Sequence, residues 1–203
     1  MAEYTISAPL VPSEGGARSL PATHHKHIWF VTGPAGCGKT TAAASIAQGW
    51  GLPYLEGDTF HPPTNIAKMA AGHPLTDADR WSWLATLRTG ATATLGSAQA
   101  VVLTCSALKK SYRDALREAQ TEQVKVHFLY LSLAQEELVR RVAARQGHYM
   151  KADMVRSQLD VLQEPDGDEV RRDSVVVDAG RDFVAVEAEV RLAFERIMEA
   201  DRV

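Results

Sequence analysis

The sequence has few of the features that mark secreted, membrane or nucleic-acid-binding proteins. Its 203 residues include two cysteines, Cys37 and Cys105, whose positions in a glycine-rich stretch and after an apolar run suit reduced thiols better than a disulfide. No apolar stretch approaches the roughly 20 residues that span a bilayer, and the start of the chain lacks a positively charged segment followed by an apolar one. The formal net charge of −3 provides no broad basic field. These absences predict a cytoplasmic protein with a small-molecule substrate and no nucleic-acid or membrane partner.

The most informative feature that is present matches the phosphate-binding pattern G-x-x-x-x-G-K-[ST]. It follows the apolar run 27–32 and precedes an alanine-rich segment, where a helix over about 39–49 is expected. Glycines let the backbone turn successive N–H groups toward one centre, where they bind phosphate oxygens. We expect Lys39 to reach the β- and γ-phosphates of a nucleoside triphosphate and the Thr40 hydroxyl to bind Mg²⁺. The nucleotide-binding residues predicted here are Gly33, Pro34, Ala35, Gly36, Cys37, Gly38, Lys39, Thr40 and Thr41.

Strand-like and helix-like segments alternate along the rest of the chain. Residues 1–25 are rich in Ala, Pro, Ser and Gly without periodicity, which predicts a flexible tail before one domain over 26–203. Apolar or β-branched runs typical of strands covered on both faces occur at 27–32, 53–55, 100–105, 124–131 and 174–178. The alternation predicts an α/β fold, with a five-stranded parallel sheet between two layers of helices.

Two helices and several core positions can also be predicted. Ser132 and Gln135 form a candidate capping box, which predicts a helix over 132–145. An apolar stripe at helical spacing indicates a helix at the end of the chain, formed by Val186, Val190, Phe194 and Ile197. Aromatic residues interpreted as core are Trp29, Trp50, Trp81 and Trp83.

The stretch 56–65 follows the short second strand and carries polar groups. In an open parallel sheet, ligands bind beyond the carboxyl ends of the strands, so Asp58 and His61 are expected beside the phosphate-binding loop. Asp58 could accept a proton from a substrate hydroxyl or hold the metal through water. The alternative is that Asp58 and His61 are turn and capping residues before Pro62. The run 101–106 ends without the acid that often helps to hold Mg²⁺ in P-loop proteins, which makes Asp58 the best candidate carboxylate.

Ordered blocks from residue 27 to about 164 resemble the gluconokinase family of small P-loop kinases. The blocks are Glu56-Gly57-Asp58-x-Phe60-His61-Pro62, Asn65, Lys68-Met69-x-x-Gly72-x-Pro74-Leu75-Thr76-Asp77-x-Asp79-Arg80, Cys105-Ser106-Ala107-Leu108-Lys109-x-x-Tyr112-Arg113-Asp114-x-Leu116-Arg117, Arg145-x-Gly147-His148-Tyr149-Met150 and Ser157-Gln158-Leu159. The chain departs from the family at Pro34, where Ser or Val is frequent, and at Ser82, where Pro is usual. Neither departure removes a chemical group that the reaction needs.

The resemblance implies transfer of the γ-phosphoryl group of ATP to D-gluconate, giving ADP and the 6-phosphogluconate that feeds the pentose phosphate pathway. It also implies a fold similar to shikimate and nucleoside monophosphate kinases, a mobile lid and a possible homodimer. A sugar acid needs a cation for its carboxylate and polar groups for its hydroxyls. The predicted substrate-binding residues are Asp58, His61, Asn65, Arg80, Lys109, Arg113 and His148. Arg80 is the first candidate for the carboxylate, with a solvated position on a helix face as the alternative.

The segment 140–148 is the expected lid. Arg141 and Arg145 are four residues apart and share a helix face, and Arg145 precedes a glycine that could act as a hinge. In related kinases such arginines neutralise charge on the transferring phosphoryl group, although an ordinary solvated helix face is the alternative. Arg141 and the loop 179–181 are candidates for contact with the nucleotide base. The predicted catalytic residues are Lys39, Asp58 and Arg145.

Two other functions remain open at the level of the sequence. One is a related P-loop kinase that acts on shikimate, a nucleotide or another sugar acid. The other is a nucleotide-binding regulatory protein that has lost turnover, against which Lys39, Thr40 and Asp58 argue because the groups needed for transfer are present. The absence of an N-K-x-D motif disfavours a GTPase switch.

Overall fold

The computed structural model describes residues 18–96, 98–144 and 152–203. Within these residues, five parallel strands form one sheet in the order β2-β3-β1-β4-β5. The strands are β1 (Lys26–Thr32), β2 (Tyr54–Leu55), β3 (Ala100–Cys105), β4 (Val124–Ser132) and β5 (Ser174–Asp178). They agree with the five predicted runs to within one residue at each end, because continuous apolar runs mark strands whose two faces are both covered.

Helices cover both faces of the sheet, which confirms the predicted α/β fold. They are α1 (Lys39–Trp50), α2 (Pro63–Ala70), α3 (Asp77–Leu95), α4 (Lys110–Arg117), α5 (Gln135–Ala144), α6 (Ala152–Leu159), α7 (Gly167–Arg172) and α8 (Phe183–Ala200), with a 3₁₀ turn at Gly57–Phe60. Among the described residues, no helix combines the length and the apolar character needed to cross a membrane.

The predicted start of α5 is wrong by three residues. Ser132 pairs with Asp178 as the last residue of β4, so it does not cap a helix that begins at Gln135. The pairing with β5 outweighs the local preference of Ser132 for a helix cap, because tertiary contacts override such preferences. The predicted end of this helix at Arg145 lies outside the described residues.

Two apolar clusters lie on opposite faces of the sheet. On one face, Phe194 of α8 packs against both Trp29 and Trp50, with ring centroids 5.1 and 4.7 Å apart. On the other face, Trp83 of α3 packs with residues of β1, β3 and β4. Trp81 corrects a prediction: it is 43% exposed and meets Tyr112 edge-on instead of entering the core. Trp81 and Trp83 are two positions apart on a helix and therefore point in different directions.

The carboxyl ends of β1, β2 and β3 bring three loops together at one edge of the sheet. The N–H of Gly33, after β1, donates to the carbonyl oxygen of Ser106, after β3, at 3.2 Å. The N–H of Gly57, after β2, donates to the hydroxyl of Thr104 at 3.0 Å. These bonds place the phosphate-binding loop beside residues 56–62, as the crossover topology of an open parallel sheet predicts.

The last residues of the predicted tail lie against the domain. Arg18 donates its N–H to the carbonyl oxygen of Gly49, and Thr23 forms an antiparallel bridge with Arg202. His25 donates its N–H to the carboxylate of Asp201. Residues 18–25 are therefore part of the folded unit, which corrects the predicted boundary for this part, while residues 1–17 lie outside the described chain.

Candidate functional site

The phosphate-binding loop connects β1 directly to α1. Gly33, Gly36 and Gly38 have φ values of 136, 87 and 105°, a region that is strained for residues with a Cβ atom. The loop ends where α1 begins, at Lys39, so the free N–H groups of the first helical turn face the loop. The Lys39 ammonium donates to the carbonyl oxygens of Gly33 and Pro34, both at 3.0 Å. The backbone and the lysine thus lie where the phosphate-binding motif predicts them.

A first cavity of about 360 Å³ opens on one side of this loop. It is lined by Gly36, Gly38 and Thr41 on the loop side and by Arg141 of α5 and Ala179 after β5 on the other. Arg141 links these elements: it donates to the Ala179 carbonyl oxygen at 3.0 Å and to the Glu137 carboxylate at 2.8 Å. The structure therefore brings together Thr41, Arg141 and the loop 179–181, which the sequence proposed for nucleotide contact.

Two further residues of the first cavity were not predicted. Phe183 and Val186 of α8 supply an apolar wall, and Phe183 is 58% exposed. An aromatic ring exposed in a cavity is well suited to pack against a planar base. The stripe in the sequence indicated that α8 packs on the core, but it contained no signal for which residue at its start borders a cavity.

A second, narrower cavity of about 70 Å³ lies on the other side of the loop. Its walls include Ala35 and Lys39 of the loop, Asp58 and His61 after β2, and Arg80 of α3. Ser157 and Gln158 of α6 also line it. The two cavities share the phosphate-binding loop as a wall, so a group bound in one lies close to a group bound in the other.

Asp58 lies in this second cavity, in the 3₁₀ turn. Although the residue is exposed, desolvation by the surrounding cavity residues raises the pKa of its carboxyl group. Lys39 opposes the shift because an ammonium nearby favours the charged carboxylate, and Glu56 adds to it. A carboxylate with a raised pKa is a better proton acceptor than an ordinary aspartate.

His61 and Asn65 form a buried polar pair beside Asp58. The His61 ring stacks on Trp83 with centroids 4.1 Å apart, and its burial, helped by the charge of Arg80, lowers its pKa to about 4. His61 is therefore neutral at physiological pH. The Asn65 amide donates to the Asp79 carbonyl oxygen at 2.7 Å and lies 3.4 Å from Nδ1 of His61. The structure thus brings His61 to the cavity, with Asn65 orienting its ring.

Arg80 reaches the second cavity from the first turn of α3. This helix begins with a complete capping box between Thr76 and Asp79, which sets the direction in which Arg80 leaves the helix. Its guanidinium donates to the Leu75 carbonyl oxygen and lies 5.6 Å from the Tyr112 ring centre. The position supports the predicted role as a ligand for an anionic substrate, since a planar guanidinium suits a carboxylate.

Lys109 and Arg113 are not brought into either cavity. Lys109 donates to both carboxylate oxygens of Asp77, at 2.7 and 2.8 Å. Arg113 is fully buried and forms a two-pronged ion pair with Glu169, at 2.9 and 2.7 Å. The prediction that Arg113 binds substrate is therefore corrected, because its guanidinium joins α4 to α7 inside the protein. Arg145 and His148 lie outside the described residues.

Glu56 is a site residue that the sequence interpretation missed. Its carboxylate accepts from the Thr40 hydroxyl at 3.2 Å, and it also accepts from the hydroxyls of Tyr54 and Thr104. It therefore holds the hydroxyl that the motif assigns to the metal. Two features of the sequence point to Glu56. It immediately follows β2, and β3 lacks the acid that often helps to hold Mg²⁺ in P-loop proteins.

The oxygen donors at this position fit Mg²⁺. Thr40 and Glu56 supply a hydroxyl and a carboxylate in contact, and Asp58 provides a second carboxylate in the adjoining cavity. Within the described residues, no cluster of three or more His, Cys, Asp or Glu side chains could hold a metal. Mg²⁺ usually binds one or two carboxylates, waters and substrate phosphates, so a hydroxyl in contact with a carboxylate is a suitable donor set.

The parallel sheet, with a phosphate-binding loop after its central strand and a cavity on each side of that loop, defines a P-loop kinase. The probable gluconokinase of Schizosaccharomyces pombe is 45% identical over 161 residues, which are 78% of this chain and 83% of that protein. The chain belongs to the gluconokinase family, as its sequence motifs predicted.

Other comparisons agree with this membership. A family model described as an AAA domain matches residues 28–165. The thermoresistant gluconokinase of Escherichia coli K12 is 39% identical, over 81% of this chain and 91% of that protein. The crystal structure of a gluconokinase from Sinorhizobium meliloti 1021 superimposes with a TM-score of 0.74 at 38% identity, covering 90% of this chain and 97% of that one.

Proposed function

We propose that this protein transfers the γ-phosphoryl group of ATP to D-gluconate, giving 6-phospho-D-gluconate and ADP. The observation that carries the proposal is the junction of two cavities at the phosphate-binding loop, with Lys39 and Asp58 in the wall of the second. A nucleotide fits the larger cavity and a small polar acceptor the narrower one. The names of the similar proteins supply the acceptor, since each is a gluconokinase.

ATP is proposed to lie with its base and ribose in the first cavity and its phosphates on the loop. Lys39 exchanges its two carbonyl partners for phosphate oxygens, and Arg141 borders the nucleotide. Thr40 would hold Mg²⁺ directly, Glu56 would hold it directly or through water, and Asp58 would contact it only through water. When bound, Mg²⁺ neutralises charge on the phosphates and thereby favours attack by the acceptor oxygen.

Gluconate is proposed to lie in the second cavity with its carboxylate toward Arg80. Asp58 accepts the proton of the terminal hydroxyl as that oxygen bonds to the γ-phosphorus, and the bond from the γ-phosphorus to the bridging oxygen breaks, leaving ADP. Neutral His61 can both donate to and accept from sugar hydroxyls. A gluconate that fills the small second cavity would leave little room there for water, which would otherwise compete as acceptor of the phosphoryl group.

The location and the oligomeric state of the enzyme are also part of the proposal. The cytoplasm is its proposed location, because both cysteines are free thiols. A homodimer stays a prediction of the family resemblance, and sedimentation of the purified chain would measure it.

The test is steady-state ADP production from ATP and Mg²⁺ with D-gluconate, compared with shikimate, glucose, glycerate and nucleoside monophosphates. We expect turnover with gluconate to exceed that with each other acceptor by at least about a hundredfold, because a site built for particular hydroxyls rejects analogues that lack them. Greater turnover with another acceptor would replace gluconate as the substrate. ATP binding without turnover on any acceptor would favour a regulatory protein.

A matched pair of lysine variants tests the loop itself. Lys39→Ala should reduce kcat at least about a thousandfold, because the cation is lost where charge develops in the transition state. Lys110→Ala, which removes an exposed lysine paired with Asp166 outside both cavities, should leave kcat within about twofold. Nearly normal turnover in folded Lys39→Ala would overturn the assignment of the loop.

A further inference from the structure

Gln158 of α6 makes a direct hydrogen bond to the phosphate-binding loop. Its side-chain Oε1 accepts from the backbone N–H of Ala35 at 2.8 Å, across 123 positions of sequence. Only the carbonyl end of a glutamine amide can face an N–H donor, so the contact defines the orientation of the side chain. Val155 on the same helix is fully buried in the core, which anchors α6 beside the loop.

The contact lies between the two cavities. Ala35 borders the second cavity together with Lys39, whereas the following glycines Gly36 and Gly38 border the first. Gln158 itself lines the second cavity, together with Asp58 and Arg80. The bond therefore holds the loop next to the point where its lining changes from the second cavity to the first.

Resting on the proposed function, we propose that Gln158 is a positioning residue for phosphoryl transfer. By accepting from the Ala35 N–H, it fixes the position of the phosphate-binding loop relative to the rest of the acceptor cavity. The same bond keeps α6 against the loop. Reacting atoms must be held close together for efficient transfer, and a displacement of about 1 Å can reduce the rate about a hundredfold. Loosening this contact also admits water, which competes with the acceptor for the phosphoryl group.

Gln163 offers a matched control within the same chain. Its side-chain Oε1 also accepts from a backbone N–H, that of Lys110, at 2.9 Å, but it borders neither cavity. The two substitutions Gln158→Leu and Gln163→Leu remove the same kind of hydrogen bond from two places. A general effect on stability would appear in both variants, whereas an effect on transfer would appear in only one.

The experiment measures three properties of each variant. The first is kcat with saturating ATP and gluconate, the second is the ratio of gluconate phosphorylation to ATP hydrolysis, and the third is hydrogen–deuterium exchange of the peptide that contains Ala35, without ligands. For Gln158→Leu we expect kcat to fall at least about tenfold. The ratio of gluconate phosphorylation to ATP hydrolysis should fall, because water competes with gluconate for the phosphoryl group. Hydrogen–deuterium exchange of the peptide that contains Ala35 should become faster. Gln163→Leu should keep kcat and the ratio within about twofold of the wild type.

Two results would overturn the inference. One is unchanged exchange at the loop in Gln158→Leu, which would mean that the bond does not restrain Ala35. The other is an equal loss of kcat in both variants with an unchanged ratio, which would indicate a structural role. If the wild-type chain phosphorylated no gluconate, the proposed function would fail, while the exchange measurement would still test the contact. Gln158→Glu, which keeps an acceptor oxygen, should restore slow exchange but weaken ATP binding through repulsion of the phosphates.

Discussion

At the scale of the residue, Asp58 illustrates how surroundings change the chemistry of an ordinary side chain. The carboxyl group stands in a narrow cavity with Lys39 nearby, where desolvation raises its pKa and the lysine restrains the shift. The carboxyl group therefore holds a proton more readily than an aspartate whose pKa is not raised. This combination is suited to a base that must accept a hydroxyl proton during transfer.

We predict that Asp58→Asn lowers kcat about a hundredfold or more while ATP affinity is largely kept, because an amide cannot accept the proton. In the wild type, kcat should fall as the pH drops through the raised pKa of Asp58, since only the carboxylate is active. That acidic limb should disappear in the variant. Rate measurements between pH 4 and 8, with titration of ATP binding, would check both effects.

Asp168→Asn is the matched control, because Asp168 is an exposed carboxylate on α7 that pairs with Arg171 away from both cavities. Its kcat and pH profile should match those of the wild type. An Asp58→Asn protein with full kcat would show that another group is the base.

At the scale of the element, the 3₁₀ turn owes its position to close contact with β3. Both backbone polar groups of Gly57 are hydrogen-bonded. Its N–H donates to the Thr104 hydroxyl, and its carbonyl oxygen accepts from the indole N–H of Trp83 at 2.9 Å. A Cβ atom at Gly57 would overlap the Thr104 carbonyl oxygen. The turn therefore needs glycine for close approach, and this approach places Asp58 in the second cavity.

Gly57→Ala should lower the free energy of unfolding by about 2 kcal/mol, because backbone must move to relieve the overlap. It should also reduce kcat about tenfold or more, since the turn carries Asp58. Urea unfolding and steady-state kinetics measure the two effects.

Gly167→Ala provides the comparison at the start of α7, where an added Cβ comes no closer than 3.4 Å to Arg171. Its free energy of unfolding should change by no more than about 1 kcal/mol, with unchanged kcat. If both glycine variants behaved alike, the close approach of the turn to β3 would not be what requires glycine at position 57.

At the scale of the whole molecule, a buried polar cluster joins the two ends of the described chain at the edge of the sheet opposite the cavities. Nδ1 of His27 lies 3.0 Å from Nε2 of His127, and Asp201 accepts from His25 and from Lys125 at 2.6 Å. His27 Nε2 is 3.2 Å from the Asp201 carboxylate without the alignment of a hydrogen bond. Burial lowers the pKa of His127 to about 3 and also lowers that of His27.

The stability of the protein should therefore fall as the pH drops below about 6.5. Unfolded histidines bind protons there, whereas His127 and His27 stay neutral in the fold, so protons favour the unfolded state. The groups that face His127 are His27, Lys125, Asp173 and Asp201, and desolvation outweighs the attraction of the two carboxylates. The lowered pKa of Asp201 acts in the same direction but at lower pH, since its stabilising effect is lost only below about 4.

His127→Gln should reduce the loss of stability between pH 6 and 5 by about 1 kcal/mol, because glutamine can keep a hydrogen bond to His27 but does not titrate. His73→Gln, at an exposed histidine outside the cluster, should leave the slope unchanged. Urea unfolding of each protein at several pH values measures the slope. Identical slopes in the wild type and in His127→Gln would contradict the assignment.

The fold and the centre of the site could be predicted because both depend on local patterns. Continuous apolar runs mark buried strands, and the spacing of glycines, Lys39 and Thr40 is that of a loop whose conformation is local. Asp58 and His61 followed from the rule that residues after parallel strands meet at one edge. The prediction for Arg113 failed because an ion pair with Glu169, 56 positions away, has no local signature.

The sequence by itself determined the class of fold, the phosphate-binding loop and the family, since these follow from periodicity and from ordered motifs. Only the tertiary structure decided which polar side chains the site uses. It brought Glu56 to Thr40 and Gln158 to Ala35, withdrew Arg113 into the interior and attached residues 18–25 to α1 and to the residues that follow α8. The physical reason is that a charged or amide side chain can satisfy its hydrogen bonds with many partners, and which partner it meets depends on long-range packing.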